Sequence, residues 1–115
     1  MQQRAGVAQA PRRDSPPVQV VRAALESSGL WYQEEFPENT DTRTYYLDFV
    51  TVGLSGVRYN IEVDGRQHYF SPEAIVEDKA RDAVLKAAGY RVIRVRGADV
   101  TADPDRIKTL IASLA

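Results

Sequence analysis

The chain of 115 residues has no cysteine, one histidine, one tryptophan and one methionine. The absence of cysteine excludes disulfides and thiolate-bound metals, so the composition encodes no redox compartment. A single histidine argues against a multi-histidine zinc site. No apolar run approaches the ~20 residues of a membrane span. The first 17 residues also lack the apolar core of a signal peptide, so a cytoplasmic location is expected. Net charge is −1 with a pI near 5.8, so the overall basic signature of a nucleic-acid binder is missing too. Local patches matter more than that sum. What is present, 43% hydrophobic and 27% charged residues, suits one small globular domain with a single core.

The most informative stretch is Tyr59-Asn60-Ile61-Glu62-Val63-Asp64-Gly65-Arg66-Gln67-His68. As a strand it puts Tyr59, Ile61 and Val63 on one face and Asn60, Glu62 and Asp64 on the other. The preceding run, Tyr45 to Val52, carries Asp48, and Gly53-Leu54-Ser55-Gly56 joins the two as a hairpin turn. Folding about that turn sets residue 48 opposite residues 61 and 62, so Asp48 and Glu62 converge. Carboxylates about 5 Å apart repel by roughly 3 kcal/mol per pair at an effective dielectric of about 20. Such a cluster takes up protons or binds a cation. Oxygen ligands suit Mg²⁺ or Mn²⁺, with water and a substrate phosphate completing the shell. The same spacing also fits a solvated strand end, salt-bridged to some of the 15 Lys and Arg residues.

Along the chain, residues 1–17 are polar, with three prolines before position 18, and read as a disordered arm; residues 18–115 form the domain. A first helix starts at Pro16, Pro17 or Val18 and ends at Ser28, with Val18, Val21, Ala24 and Leu25 as its apolar stripe and Gly29 as its stop. Glu26 lies near its C-terminus, where the helix dipole disfavours an acid. Leu30 to Phe36 reads as a strand, and Pro37 to Thr44 as a polar loop. After the hairpin, Ser71-Pro72-Glu73 opens a second helix. Val76, Ala80, Ala83, Val84 and Ala87 are its predicted apolar face, with Glu77–Arg81 and Asp82–Lys86 as supporting pairs. Gly89 ends it, Arg91 to Arg96 form a strand reached by a parallel crossover, and a last helix runs from about Asp103 to Leu114. The predicted order is α-β-β-β-α-β-α.

Four sets of residues carry a family resemblance: Leu47-Asp48-Phe49; Ile61-Glu62-Val63-Asp64-Gly65 with His68; Asp78, Arg81-Asp82 and Leu85; and Gly89-Tyr90-Arg91-Val92-Ile93-Arg94. In this order and spacing the chain resembles the restriction-endonuclease-like, or PD-(D/E)XK, nucleases, whose fold is a three-layer α/β arrangement with a mixed central sheet. More narrowly it resembles the small domains related to very-short-patch-repair (Vsr-like) endonucleases, from about Val18 to Leu114. The resemblance implies that Asp48 is the first metal-binding acid and Glu62 the second. The Val63 carbonyl is then a third ligand, and Glu26 helps hold a second ion or a water. His68 takes the place of an active-site histidine. Asp64 stands where the superfamily has its lysine, so Lys79 or His68 is expected to supply what Asp64 cannot.

The implied activity is Mg²⁺-dependent hydrolysis of DNA phosphodiesters, with Mn²⁺ as a substitute ion and His68 relaying protons. Arg66, Arg91, Arg94 and Arg96 are candidates for contacts to the nucleic-acid backbone. Asp78 and Asp82 border the site, although helix pairing accounts for them as well. A different class of function stays open: a non-catalytic nucleic-acid-binding or assembly module on the same fold, or the nuclease part of a larger complex. A monomer would nick, and a symmetric homodimer would cut both strands.

Overall fold

The computed structural model describes residues 15–65 and 72–115. Its elements are α1 (Pro16–Ser28), β1 (Tyr32–Asn39), β2 (Thr44–Val52), β3 (Arg58–Asp64), α2 (Pro72–Ala87), β4 (Tyr90–Arg96), α3 (Gly97–Ala102) and α4 (Pro104–Ala112). The sheet order is β1-β2-β3-β4; the first three strands are antiparallel neighbours, and β4 joins β3 in parallel through α2. This is a small α/β domain with a mixed four-stranded sheet. Its element order is the predicted one, with α3 added before the last helix. Among the described residues no helix is long and apolar enough to cross a membrane.

The first helix follows its sequence signals closely. Proline fits its first turn, Val18, Val21, Ala24 and Leu25 are buried, and Gly29 ends it at φ 77°, a backbone region that glycine enters without strain. That stripe packs with Phe49, Ile61 and Val63 of the sheet, Val100 of α3, and Ile107, Ile111 and Leu114 at the C-terminal end. On the other face a smaller cluster joins Leu47 and Val50 to Tyr90 and to Leu85 of α2.

Three expectations need correction. The loop predicted from Pro37 is strand as far as Asn39, because β1 is an edge strand and a proline there breaks no inner ladder; Pro37 pairs in register with Tyr46. The turn itself is residues 40–43, tied by Thr40, whose amide and hydroxyl both donate to the Arg43 carbonyl at 2.8 and 2.7 Å. Second, the predicted apolar face of α2 points to solvent: Val76 is 67% exposed and Val84 38%, while Leu85 is the buried residue of the helix. Third, α3 was not foreseen; it is six residues long and starts on Gly97 with no side-chain cap. The predicted N-cap Ser71 lies outside the described residues, as does most of the 1–17 arm.

The β1–β2 ribbon has one irregularity with consequences for the site. Residues of one parity in a strand share a face, yet Leu47 packs in the α2-side cluster and Phe49 in the α1-side cluster. On β1, Tyr32 and Phe36 divide in the same way. Both strands therefore switch which alternate residues face which cluster between the pairs Glu34↔Phe49 and Phe36↔Leu47, and past the switch Val50 faces the cluster of Leu47. The residues at the crossing are Glu35 and Asp48. Glu35 sits at φ 53°, and among the described residues it is the one non-glycine with positive φ.

Candidate functional site

Asp48 on β2 and Glu62 on β3 come together as the hairpin arithmetic predicts. The β2–β3 register pairs Phe49 with Ile61, which makes residues 48 and 62 the next rung. The ladder stops there, leaving amides that need partners. The two carboxylates supply them crosswise. The Asp48 amide donates to Glu62 Oε2 at 3.1 Å, and the Val63 amide donates to Asp48 Oδ2 at 2.9 Å. Both side chains are buried, with residue exposures of 7% for Asp48 and 5% for Glu62. Each acid is thus held by the other's strand.

Isolated buried carboxylates would be costly. Arg81 of α2 offsets one of them: its Nη2 donates to Glu62 Oε2 at 2.9 Å and reaches the Tyr46 carbonyl at 3.3 Å. A second guanidinium serves the next acid. Arg94 of β4, opposite Glu62 in the parallel register, contacts both Asp64 oxygens at 3.2 Å through Nη1. Its Nε and Nη2 grip Asp82 of α2 as a fork at 3.2 and 2.7 Å, and Asp78 lies 3.8 Å from Nη1. Burial works against the Arg94 charge. The Asp82 hydrogen bond and the charges of Asp64, Asp82 and Asp78 outweigh it and raise the pKa further above the ordinary arginine value.

These contacts replace the predicted helix pairs. Arg81 turns to Glu62, and Glu77 instead faces Arg43 at 3.6 Å; Asp82 turns to Arg94. The physical reason is the orientation of α2. Its Asp78, Arg81, Asp82 and Leu85 lie on the sheet side, so the charges that would have paired along the helix pair across to the strands. Sequence reasoning did not assign Arg81 to the site; its signals were its place among the residues that carry the resemblance and its four-residue spacing from Leu85 (one helical turn).

The other candidates fall as follows. Asp64 is buried and bound to Arg94. Glu26 is exposed near the end of α1 and accepts the Tyr32 hydroxyl at 2.9 Å, so a neutral donor rather than a cation meets it there. Lys79 is exposed on α2, and Arg91 and Arg96 are exposed on β4. Arg94 is turned inward. Arg66 and His68 lie outside the described residues.

Among the described residues no group of three or more His, Cys, Asp or Glu side chains is arranged to hold a metal ion. Glu26 therefore does not complete a trio with Asp48 and Glu62. What the site offers is two buried, adjacent carboxylates. That donor set suits a hard cation of the Mg²⁺ kind, which takes one or two carboxylates and fills its shell with water and substrate oxygens.

A family model described as REase_MTES_1575, a restriction-endonuclease-like family, matches residues 18–114. No curated protein and no solved structure matches the chain. The matched span covers nearly all of the chain, and the chain belongs to this restriction-endonuclease-like family.

Proposed function

We propose that this member of a restriction-endonuclease-like family is a divalent-metal-dependent DNA endonuclease or nickase that works at Asp48 and Glu62. The observation that carries the reading is the crosswise pairing of those two buried carboxylates at the end of the β2–β3 ladder. Asp48, Glu62 and the Val63 carbonyl would hold Mg²⁺ or Mn²⁺, with Glu26 assigned to a second ion or a water. When bound, such an ion supplies Lewis-acid chemistry, acidifying water and offsetting charge on the scissile phosphate.

The chain's own residues do the rest. The Val63 and Asp48 amides fix the carboxylate rotamers, so the donor oxygens need no reorganisation at the moment of reaction. Asp64 holds Arg94 in place beside them. His68 is assigned the proton relay, and Lys79 the cation that residue 64 does not provide. Arg66, Arg91 and Arg96 are assigned to the DNA backbone, in a cytoplasmic protein that acts alone, as a homodimer or within a larger nuclease complex. The Vsr-like relationship belongs to the same proposal.

One observation favours a second reading. Glu62 already carries Arg81, so an arginine in place of an ion would suit a non-catalytic nucleic-acid-binding module. Cleavage of supercoiled plasmid and of a mismatched duplex in Mg²⁺ or Mn²⁺ decides between them. Cleavage by the wild type, lost in both Asp48→Ala and Glu62→Ala, is the expected result, and the ratio of nicked to linear product gives the number of sites acting together. Intact DNA with equal binding by all three proteins would instead select the binding module.

A further inference from the structure

The contact between Arg81 and Glu62 has a chemical implication for any cation that enters this site. Glu62 is 5% exposed, and Arg81 Nη2 lies 2.9 Å from the same Oε2 that accepts the Asp48 amide. A guanidinium and a divalent cation seek the same carboxylate charge. Arg81 is also a main tie of α2 to β2 and β3: the same Nη2 meets the Tyr46 carbonyl, and its guanidinium carbon lies 5.8 Å from the centre of the Tyr45 ring. In α2 the buried apolar anchor is Leu85 alone, so the seating of this helix depends strongly on its ion pairs.

We infer that Arg81 is an internal counterion that competes with the metal for Glu62, which makes it the positioning residue that sets metal affinity and links metal occupancy to the docking of α2. This rests on the proposed metal site. Without metal, Arg81 neutralises Glu62 and holds α2 down. With metal, the positive charge on Glu62 is supplied twice, Arg81 is released, and the Tyr46 side of α2 loosens. Linkage is reciprocal: whatever weakens the Arg81 contact tightens metal binding, and metal weakens the contact by the same factor.

The test compares wild type, Arg81→Gln, Arg81→Lys and Asp48→Asn. Mn²⁺ binding is measured by calorimetry without DNA, together with melting temperature with and without Mn²⁺. The glutamine variant is expected to bind Mn²⁺ about tenfold more tightly than wild type. It should melt lower in metal-free buffer, and gain more from Mn²⁺ than wild type gains. The lysine variant, which keeps the charge, should fall between them. A residue that only supported the fold would leave affinity the same or weaken it. Unchanged or weaker affinity in Arg81→Gln, with the wild type binding and Asp48→Asn not binding, would overturn this inference and leave the nuclease reading standing. No Mn²⁺ binding by the wild type would overturn both. If Arg81→Gln does not fold, the lysine variant decides: a lower melting temperature in metal-free buffer, which shows the contact weakened, together with Mn²⁺ affinity no tighter than wild type would reject the competition.

Discussion

Where α1 meets the sheet, Val18, Val21, Ala24 and Leu25 close on Phe49, Ile61 and Val63, and the contact is hydrocarbon. Where α2 meets the same sheet from the other side, Arg81 reaches for Glu62 and Asp78 and Asp82 for Arg94, which also holds Asp64 within the sheet, with Leu85 as the apolar anchor. Even the enclosed centre of that second face carries Asn60, fully buried and in register between Val50 and Val92. The contrast separates two jobs. Apolar burial is non-directional and holds the frame together. Ion pairs in a partly buried setting add little net stability, since desolvation offsets much of their attraction, but they fix which group stands beside which. The candidate site is built on the face whose contacts are chosen by charge.

The largest effect that would sharpen this contrast lies on the apolar face. Leu25→Ala should cost about 2–5 kcal/mol of unfolding free energy, whereas Val76→Ser on the exposed side of α2 should stay within about 0.5 kcal/mol. Urea denaturation reads both; a large loss at Val76 would break the comparison by showing that this side of α2 is covered. Next in size, Arg94→Met leaves Asp64, Asp82 and Asp78 without their shared cation. Its side chain is 24% exposed, so the loss should be about 2–3 kcal/mol rather than that of a fully enclosed pair. Adding Asp64→Asn and Asp82→Asn to Arg94→Met should recover most of it, because the repulsion is removed along with the attraction. Failure to recover would mean that Arg94 contributes through packing.

The smallest effect concerns pH. Tyr90 is buried and donates its hydroxyl to Glu38 at 2.7 Å; burial, then that bond, then the Glu38 charge push its pKa up to about 12, against a smaller opposing pull from Arg58. Between the unfolded value near 10 and the folded value, the native state keeps a proton that the unfolded state has lost. Stability from this group is therefore complete below about pH 10 and disappears as pH rises to about 12. Melting temperatures should fall through that window, and fall less in Tyr90→Phe. Tyr32, shifted upward chiefly by burial and then by Glu26, leaves a residual slope of the same sign. An unchanged slope in the phenylalanine variant would remove Tyr90 from the account.

The same contrast explains what could be read from the residues in order. The stripe of α1 and the buried positions Ile107 and Ile111 of α4 follow helical spacing and were legible, since oil on one face needs no knowledge of the partner. The meeting of Asp48 and Glu62 was legible because a short hairpin fixes register by counting. In α2 the apolar residues are mostly alanine and valine on one side, while the side that docks is charged, and periodicity ranks those sides wrongly. Glu62, the partner of Arg81, and Asp64, one partner of Arg94, lie 19 and 30 residues away in sequence, beyond a crossover whose register counting does not give. Pro37 in a strand was hidden for another reason: its tolerance there depends on β1 being at the edge, which is a property of the whole sheet.

The crossing at Glu35 and Asp48 gives the site a mechanical character. Before it, β2 is gripped by the α2-side core through Leu47; after it, by both cores at once, through Phe49 on one side and Val50 on the other. Asp48 is then the joint at which the strand passes from the hold of one core to a hold shared by two. A substitution deep in either core should reach Asp48 as a torque along β2, without touching it.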